Sequence, residues 1–270
     1  MYKPQKIVNI HAHITKTDDV GAKVNKWLED GAYKVCVLAI EWKGLCGNDE
    51  VLAHMKAYPD VIVGMGYINL WHDMDKAGRV TELYEKGFKG LKMISPAHPY
   101  SDERYFPFYE KAEELGMPIV FHTGLVSTAH SRDRSPNSEY MRPYTMDVIG
   151  RMFPDLKIVC AHLGTPHYEE AINIAITYPN IYFDITGHSG NAMHIARQKK
   201  ALGPYPGADF DNPNENPAHL YFTKLMFGTD SPQINHWYAA SENIMDYLHI
   251  TEKTREDFYW RNACKFFGWS

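Results

Sequence analysis

The chain has 270 residues, of which 44% are hydrophobic, 13% aromatic and 23% charged, a composition that supports a substantial core and excludes an intrinsically disordered protein. A formal charge of -5, with no Lys/Arg block, offers no electrostatic footing for nucleic acid or an anionic membrane and leaves a small molecule as the expected partner. Cys36, Cys46, Cys160 and Cys264 form no Cys-x-x-Cys pair, which points away from a zinc ribbon or a disulfide framework and toward reduced thiols in a cytoplasm.

The amino terminus, MYKPQKIVNIHAH, enters a strand pattern at once and lacks the apolar core of a signal peptide. No later apolar run approaches the ~20 residues of a membrane span, so a cytoplasmic protein without membrane partners is expected. Eight short β-rich runs follow one another: KIVNIHA, YKVCVLAI, VIVGMGYI, FKGLKMI, PIVFHTG, KIVCAHL, NIYFDIT and KLMFGTD. Helical periodicity separates most of them, as in VNKWLEDG before the second and MDKAGRVTELYEKG before the fourth. Gly31, Gly87 and Gly116 stand where three of these helices should end in a left-handed cap.

Strand and helix alternating eight times over about 250 residues predicts an α/β fold, a (β/α)8 TIM barrel, with a doubly wound open sheet as the alternative. Two irregular stretches, from about residue 125 to 143 and from about 187 to 216, read as loops over the barrel mouth. The terminal TEKTREDFYWRNACKFFGW has helical spacing and reads as a closing helix. No repeat or linker interrupts the chain, so one domain spanning 1–270 is expected.

His11 and His13 end the first run one residue apart, and the period-2 geometry of a strand sends both side chains to one face. Two imidazoles aimed at one point suit a zinc-like ion, although a chain with 14 histidines produces such a pair about once by chance. His122, His162 and Asp230 stand at the corresponding ends of the fifth, sixth and eighth runs. Each alone reads equally well as a helix cap or a solvated loop residue. A barrel, however, gathers the carboxyl ends of separate strands into one mouth, and jointly these residues describe a site there.

Lys92 in the fourth run, Arg142 in the first long loop and His188 after the seventh run are candidates for holding substrate. Arg142 could clamp a carboxylate through paired hydrogen bonds, against the plainer reading of a surface arginine. Asp184 either supports a histidine ligand or caps a helix, and Glu41 and Asn69 are divided in the same way between pocket lining and loop capping. Cys36 and Cys160 lie inside apolar strands and are assigned no chemistry.

The segments HAH, GFKGLK, PIVFHTG, KIVCAHLG, MFGTDSP and RNACKFFG, in this order after successive strands, resemble the amidohydrolase-related family, in its amidohydrolase-2 or ACMSD-like branch, nearly end to end. The resemblance implies a deformed TIM barrel with one divalent metal ion, usually zinc, held by His11, His13, His122 and Asp230. It implies that His162 lies beside the metal's water as a general acid/base, with Asp230 accepting the water proton. Binuclear relatives carry a carboxylated bridging lysine at the place of Lys92, but an inward lysine meeting an anionic substrate is the simpler expectation. The activity expected is hydrolysis of an amide, ester or lactone in a small, carboxylated substrate, with Lys92, Arg142 and His188 in binding roles. Alternatives are non-oxidative decarboxylation, a metal-free lactonase-like variant, and a catalytically silent barrel that only binds. A homodimer is the assembly considered, since 18 Tyr and 6 Trp supply interface candidates.

Overall fold

The structure, a computed structural model, describes residues 2–42, 44–73, 76–126, 136–186, 212, 222–230 and 233–269. Its eight strands are β1 (Ile7–Ala12), β2 (Ala32–Leu38), β3 (Ile62–Tyr67), β4 (Gly90–Met93), β5 (Ile119–His122), β6 (Ile158–Ala161), β7 (Ile181–Asp184) and β8 (Leu225–Met226), in sequential order in one sheet. Every neighbouring pair is parallel. The two ends of the sheet meet: the Ile10 N–H donates to the Phe227 carbonyl at 2.9 Å and the Thr229 N–H to the His11 carbonyl at 3.0 Å. Those bonds close the barrel and dismiss the open sheet.

Helices α1 (Val20–Glu29), α2 (Asn48–Ala57), α3 (Gly78–Glu85), α4 (Phe106–Glu114), α5 (Met146–Met152) and α6 (Tyr168–Thr177) fill the successive crossovers. Asp19 opens α1 by accepting the Ala22 N–H at 3.0 Å, and Gly31 follows it at φ +90°, a conformation open to glycine at no steric cost. After β8 come α7 (Ile234–Tyr247), α8 (Glu252–Glu256), a π-helical turn at Asp257–Arg261 and α9 (Asn262–Phe267). The expected closing helix is thus α8 through α9, with one wide turn. The crossover from β7 to β8 and most of the two irregular stretches, His188 among them, lie outside the described residues. Among the described residues no helix is long and apolar enough to cross a membrane.

Two apolar layers hold the barrel together. Ile7, Val35, Val37, Leu91, Ile119, Phe121, Ile158 and Phe183 point outward and pack with α-helical residues such as Val24, Trp27, Leu83 and Ile149. Val8, Ile10, Cys36, Leu38, Val63, Met65, Val120, Val159 and Met226 point inward, and Ala263, Cys264 and Phe266 of α9 join them. All four cysteines are free and buried, and burial raises the Cys36 and Cys160 thiols, which fits packing rather than reactivity.

The inward alternation of β1, at Val8 and Ile10, would leave both histidines outside. It is reset by an irregularity in the ladder: Asn9 pairs with Val35 and Ala12 with Val37, so β1 advances one residue more than β2. Asn9 occupies the irregular turn, accepting the His11 N–H on Oδ1 at 3.2 Å and donating from Nδ2 to the Thr229 hydroxyl at 2.9 Å. After it, Ala12 and Ile14 face the outer layer. His11 and His13 accordingly turn to the inner side at the barrel's carboxyl-terminal end.

Candidate metal centre

His11 is fully buried, and its Nδ1 lies 2.8 Å from Asp184 Oδ2, while His13 Nδ1 lies 2.9 Å from the Leu38 carbonyl. A carboxylate and a carbonyl both demand a donor, so each imidazole carries a proton on Nδ1 and turns Nε2 inward. Those two Nε2 atoms are 3.3 Å apart, and Asp230 Oδ1 is 3.2 Å from the first and 3.3 Å from the second. Three atoms able to ligate a cation therefore converge on one point, held together by an ionised carboxylate. A point equidistant from the corners of such a triangle lies about 1.9 Å from each (side over √3), close to the ~2.0–2.2 Å of zinc bonds to nitrogen and carboxylate oxygen.

A second pair of acceptors adjoins the first. His122 Nε2 faces the Leu125 carbonyl at 3.1 Å and His162 Nδ1 faces the Thr186 carbonyl at 3.0 Å, which again assigns the protons outward. The inner atoms, His122 Nδ1 and His162 Nε2, are then 3.1 Å apart. Burial and neighbouring histidines push His122 well down and His162 down to about 4, so each ring is neutral, with a single proton, at neutral pH. The rings of His11 and His162 are 5.1 Å apart centre to centre, which joins both pairs into one cluster.

The electrostatics are those of a site short of positive charge. Burial opposes the Asp230 carboxylate, but His11 and His13 hold it well below the usual range, and it stays ionised. Asp184 behaves alike, held down against burial by His11 and His162. Burial opposes charge on His11, yet Asp184 raises it, whereas burial lowers His13. Asp230 is also the open member, with its side chain 30% exposed against 0% for His11 and 8% for His13.

His162 and Asp230 adopt the left-handed backbone, at φ +63° and +57°. That conformation costs a non-glycine residue roughly 1–2 kcal/mol and is met most often where function requires it. Hydrogen bonds offset the cost here: the His162 N–H donates to Asp184 Oδ1 at 2.8 Å, and the Asp230 N–H to the His11 carbonyl at 2.7 Å.

Gly124 lets the ends of β5 and β6 come together. It sits at φ +84°, and a Cβ there would lie 2.0 Å from the Thr165 carbonyl oxygen and 2.7 Å from the Gly164 carbonyl carbon. Backbone atoms cannot move aside as a side chain does. Gly124→Ala is expected to cost at least ~2 kcal/mol of stability and to separate His122 from His162, read as a lowered urea midpoint. An unchanged midpoint would mean the two turns are not in contact.

Lys92 on β4 faces the same cluster. It is fully buried, and among the described residues its Nζ has no hydrogen-bond partner. Burial lowers it to about 8 even though Asp230 and Asp184 pull it upward. Arg142 joins an ion-pair network: Nε donates to Glu170 Oε1 at 3.0 Å and Nη1 to Glu139 Oε2 at 3.0 Å, with Nη2 also on Glu170. Its fork is engaged within the chain, on a side chain that stays 39% exposed. Asn69 acts as a loop cap, accepting the Trp71 N–H at 3.2 Å, and Glu41 is exposed. Asn9, Asp184 and Thr186 are the residues whose parts in the site the sequence understated.

A barrel with this strand-end cluster meets the sequence motifs quoted above, and the match to the family model of the Amidohydrolase family runs over residues 41–269. The chain belongs to the Amidohydrolase family. Members of this family bind a divalent metal, and the donor set of His11, His13 and Asp230 fits one. A comparison with curated proteins found no match. Among solved structures, the chain is similar to an uncharacterized TIM-barrel protein from Bordetella bronchiseptica, at 21% identity and a TM-score of 0.68 over 92% of this chain and 82% of that one. It is similar to a protein named as a probable 2-pyrone-4,6-dicarboxylic acid hydrolase from Acinetobacter baumannii with citric acid bound, at 12% identity and a TM-score of 0.64 over 98% and 100% of the two chains. A third is a 5-carboxyvanillate decarboxylase from Novosphingobium aromaticivorans complexed with manganese and a nitrobenzoic acid, at 14% identity and a TM-score of 0.58 over 99% of each chain. At these identities the likeness establishes the barrel shared by all three and leaves the reaction open.

Proposed function

We propose that this amidohydrolase-family protein is a metal-dependent hydrolase of small carboxylated substrates, with His11, His13 and Asp230 holding the metal and His122 adding a fourth ligand. The observation that carries the reading is the triangle of three converging ligand atoms with 3.2–3.3 Å sides. A divalent ion bound there supplies Lewis acidity, acidifying water and polarising a carbonyl oxygen. Asp230, ionised and the most open of the group, accepts the proton of the attacking water. His162, neutral at pH 7 with its Nδ1 proton held outward by Thr186, keeps Nε2 available to orient that water and then to carry a proton to the leaving group.

Lys92 is the proposed anchor for a substrate carboxylate, because a buried ammonium with no hydrogen-bond partner among the described residues is relieved by an incoming anion. The names of two similar structures, a pyrone dicarboxylic acid hydrolase and a carboxyvanillate decarboxylase, are consistent with that preference. His188 is retained as a further proposed substrate contact. Zinc is the proposed metal on the strength of its imidazole and carboxylate donors, with manganese as the alternative. A cytoplasmic location and a homodimer belong to the same reading, supported by the four free thiols and by exposed Tyr84, Tyr144 and Tyr247.

Decarboxylation is the second reading, favoured by the same lysine, since the site would hold a carboxylate as readily for cleavage as for anchoring. Incubation of the metal-loaded protein with carboxylated lactones, esters, amides and hydroxybenzoates, followed by mass spectrometry, separates them. Products whose masses sum to that of the substrate plus 18 mass units, abolished by chelator, are the expected result. Loss of 44 units without hydrolysis transfers the site to the decarboxylase reading, and no turnover by the metal-loaded protein favours a barrel that only binds.

A further inference from the structure

One carboxylate touches both functional halves of the cluster. Asp184, fully buried at the end of β7, accepts the His11 Nδ1 proton on Oδ2 at 2.8 Å. Its Oδ1 accepts the His162 backbone N–H at 2.8 Å, the Thr186 N–H at 3.0 Å and the Thr186 hydroxyl at 2.6 Å. Thr186, also fully buried, returns to the same histidines: its carbonyl accepts from His162 Nδ1 at 3.0 Å, and its hydroxyl oxygen lies 3.1 Å from that Nδ1 and 3.3 Å from His11 Nδ1. Gly228, two residues beyond β8, leaves the space this requires, since a Cβ there would stand 2.7 Å from Thr186 Cγ2 and 3.0 Å from His11 Cβ.

We propose that Asp184 and Thr186 form one positioning bracket that couples the orientation of His11 toward the metal to the placement of His162. The inference rests on the metal-site reading above and adds to it. Oδ2 fixes the His11 tautomer with Nε2 turned inward and makes that nitrogen a stronger donor to a cation. Oδ1 holds the left-handed turn at His162, while the Thr186 carbonyl fixes the ring rotation and tautomer of the same residue. The Thr186 hydroxyl donates to Asp184, so the carboxylate is itself held in place. A shift of this single side chain displaces both a ligand and the proton carrier, and neither can be tuned alone.

The physical asymmetry of an amide makes the bracket testable. The side chain introduced by Asp184→Asn retains one acceptor and replaces the other with a donor, so either His11 or the His162 turn loses its partner. Chelator competition with zinc is expected to show metal affinity reduced about 10–100-fold in Asp184→Asn. The His11 ring nitrogens, followed by 15N chemical shifts, are expected to lose their single tautomer. Thr186→Val should weaken zinc binding by roughly threefold or more, with Thr186→Ser restoring wild-type affinity, because serine keeps the hydroxyl and valine keeps the volume. This second pair decides the matter if Asp184→Asn does not fold. Unchanged zinc affinity and an unchanged His11 tautomer in Asp184→Asn, or equal affinities for Thr186→Val and Thr186→Ser, overturn the bracket. A wild-type protein that binds no zinc overturns instead the reading on which it rests, and the two failures are told apart by the wild-type titration.

Discussion

Asp230→Ala is expected to release the metal and to lower kcat/KM by at least ~10³-fold, while the barrel remains folded. The carboxylate supplies one of the three converging acceptors and the negative charge that balances a dication, and no other carboxylate oxygen among the described residues faces both Nε2 atoms. Its backbone bond to the His11 carbonyl, at 2.7 Å, is kept by any residue, so β8 remains attached to β1. The left-handed φ of +57° costs alanine roughly 1 kcal/mol, too little to unfold a domain of this size. Asp230→Asn separates charge from shape, because asparagine accepts the same backbone conformation. It should bind metal more weakly than wild type and more tightly than Asp230→Ala. Metal content by plasma mass spectrometry, circular dichroism and turnover together check the prediction; full metal content and full turnover in Asp230→Ala would remove Asp230 from the site.

Lys92→Met should make the metal-free protein more stable and the enzyme worse. In the folded chain the ammonium loses its proton near pH 8, whereas in the unfolded chain it keeps it until about 10.5. Below pH 8 both states are protonated and the folded state bears the full cost of a buried charge, about 3 kcal/mol from the difference between those two values. Between pH 8 and 10.5 the folded state releases the proton first, and the cost disappears. Methionine has similar volume and no charge, so the variant gains up to ~3 kcal/mol at pH 7 and little above pH 10.5, readable from urea midpoints at the two pH values. For a carboxylated substrate, loss of a desolvated charge pair raises KM by about 10²-fold. Destabilisation at pH 7 would mean that the lysine has a partner in the folded chain. An unchanged KM would take the substrate away from it.

Much of this was written in the order of the residues. Eight apolar runs with helical spacing between them define the barrel, and Gly31, Gly87 and Gly116 do lie at φ +90°, +98° and +64° after their helices. His11, His13, His122, His162 and Asp230 were legible because a parallel barrel sends every strand end to one mouth, whatever the distance along the chain. What escaped the sequence depends on contacts between distant segments. The step in β1 that turns His11 inward is set by Asn9 against β2 and Thr229, the latter 220 positions away. The reach of Asp184 to His11 spans 173 positions and that of Arg142 to Glu170 spans 28, and no local pattern announces either. The left-handed turns at His162 and Asp230 were hidden for the opposite reason: nothing in either side chain requires them, and only the surrounding hydrogen bonds make them affordable.

Anomalous diffraction at the zinc and manganese edges, from crystals of the protein grown with each metal, decides whether His11, His13 and Asp230 hold the ion. One ion per chain is expected, about 2.0–2.2 Å from His11 Nε2, His13 Nε2 and an Asp230 oxygen, with His162 beside its open position. Anomalous density elsewhere, or none at these three atoms in a protein that turns over substrate, would contradict it.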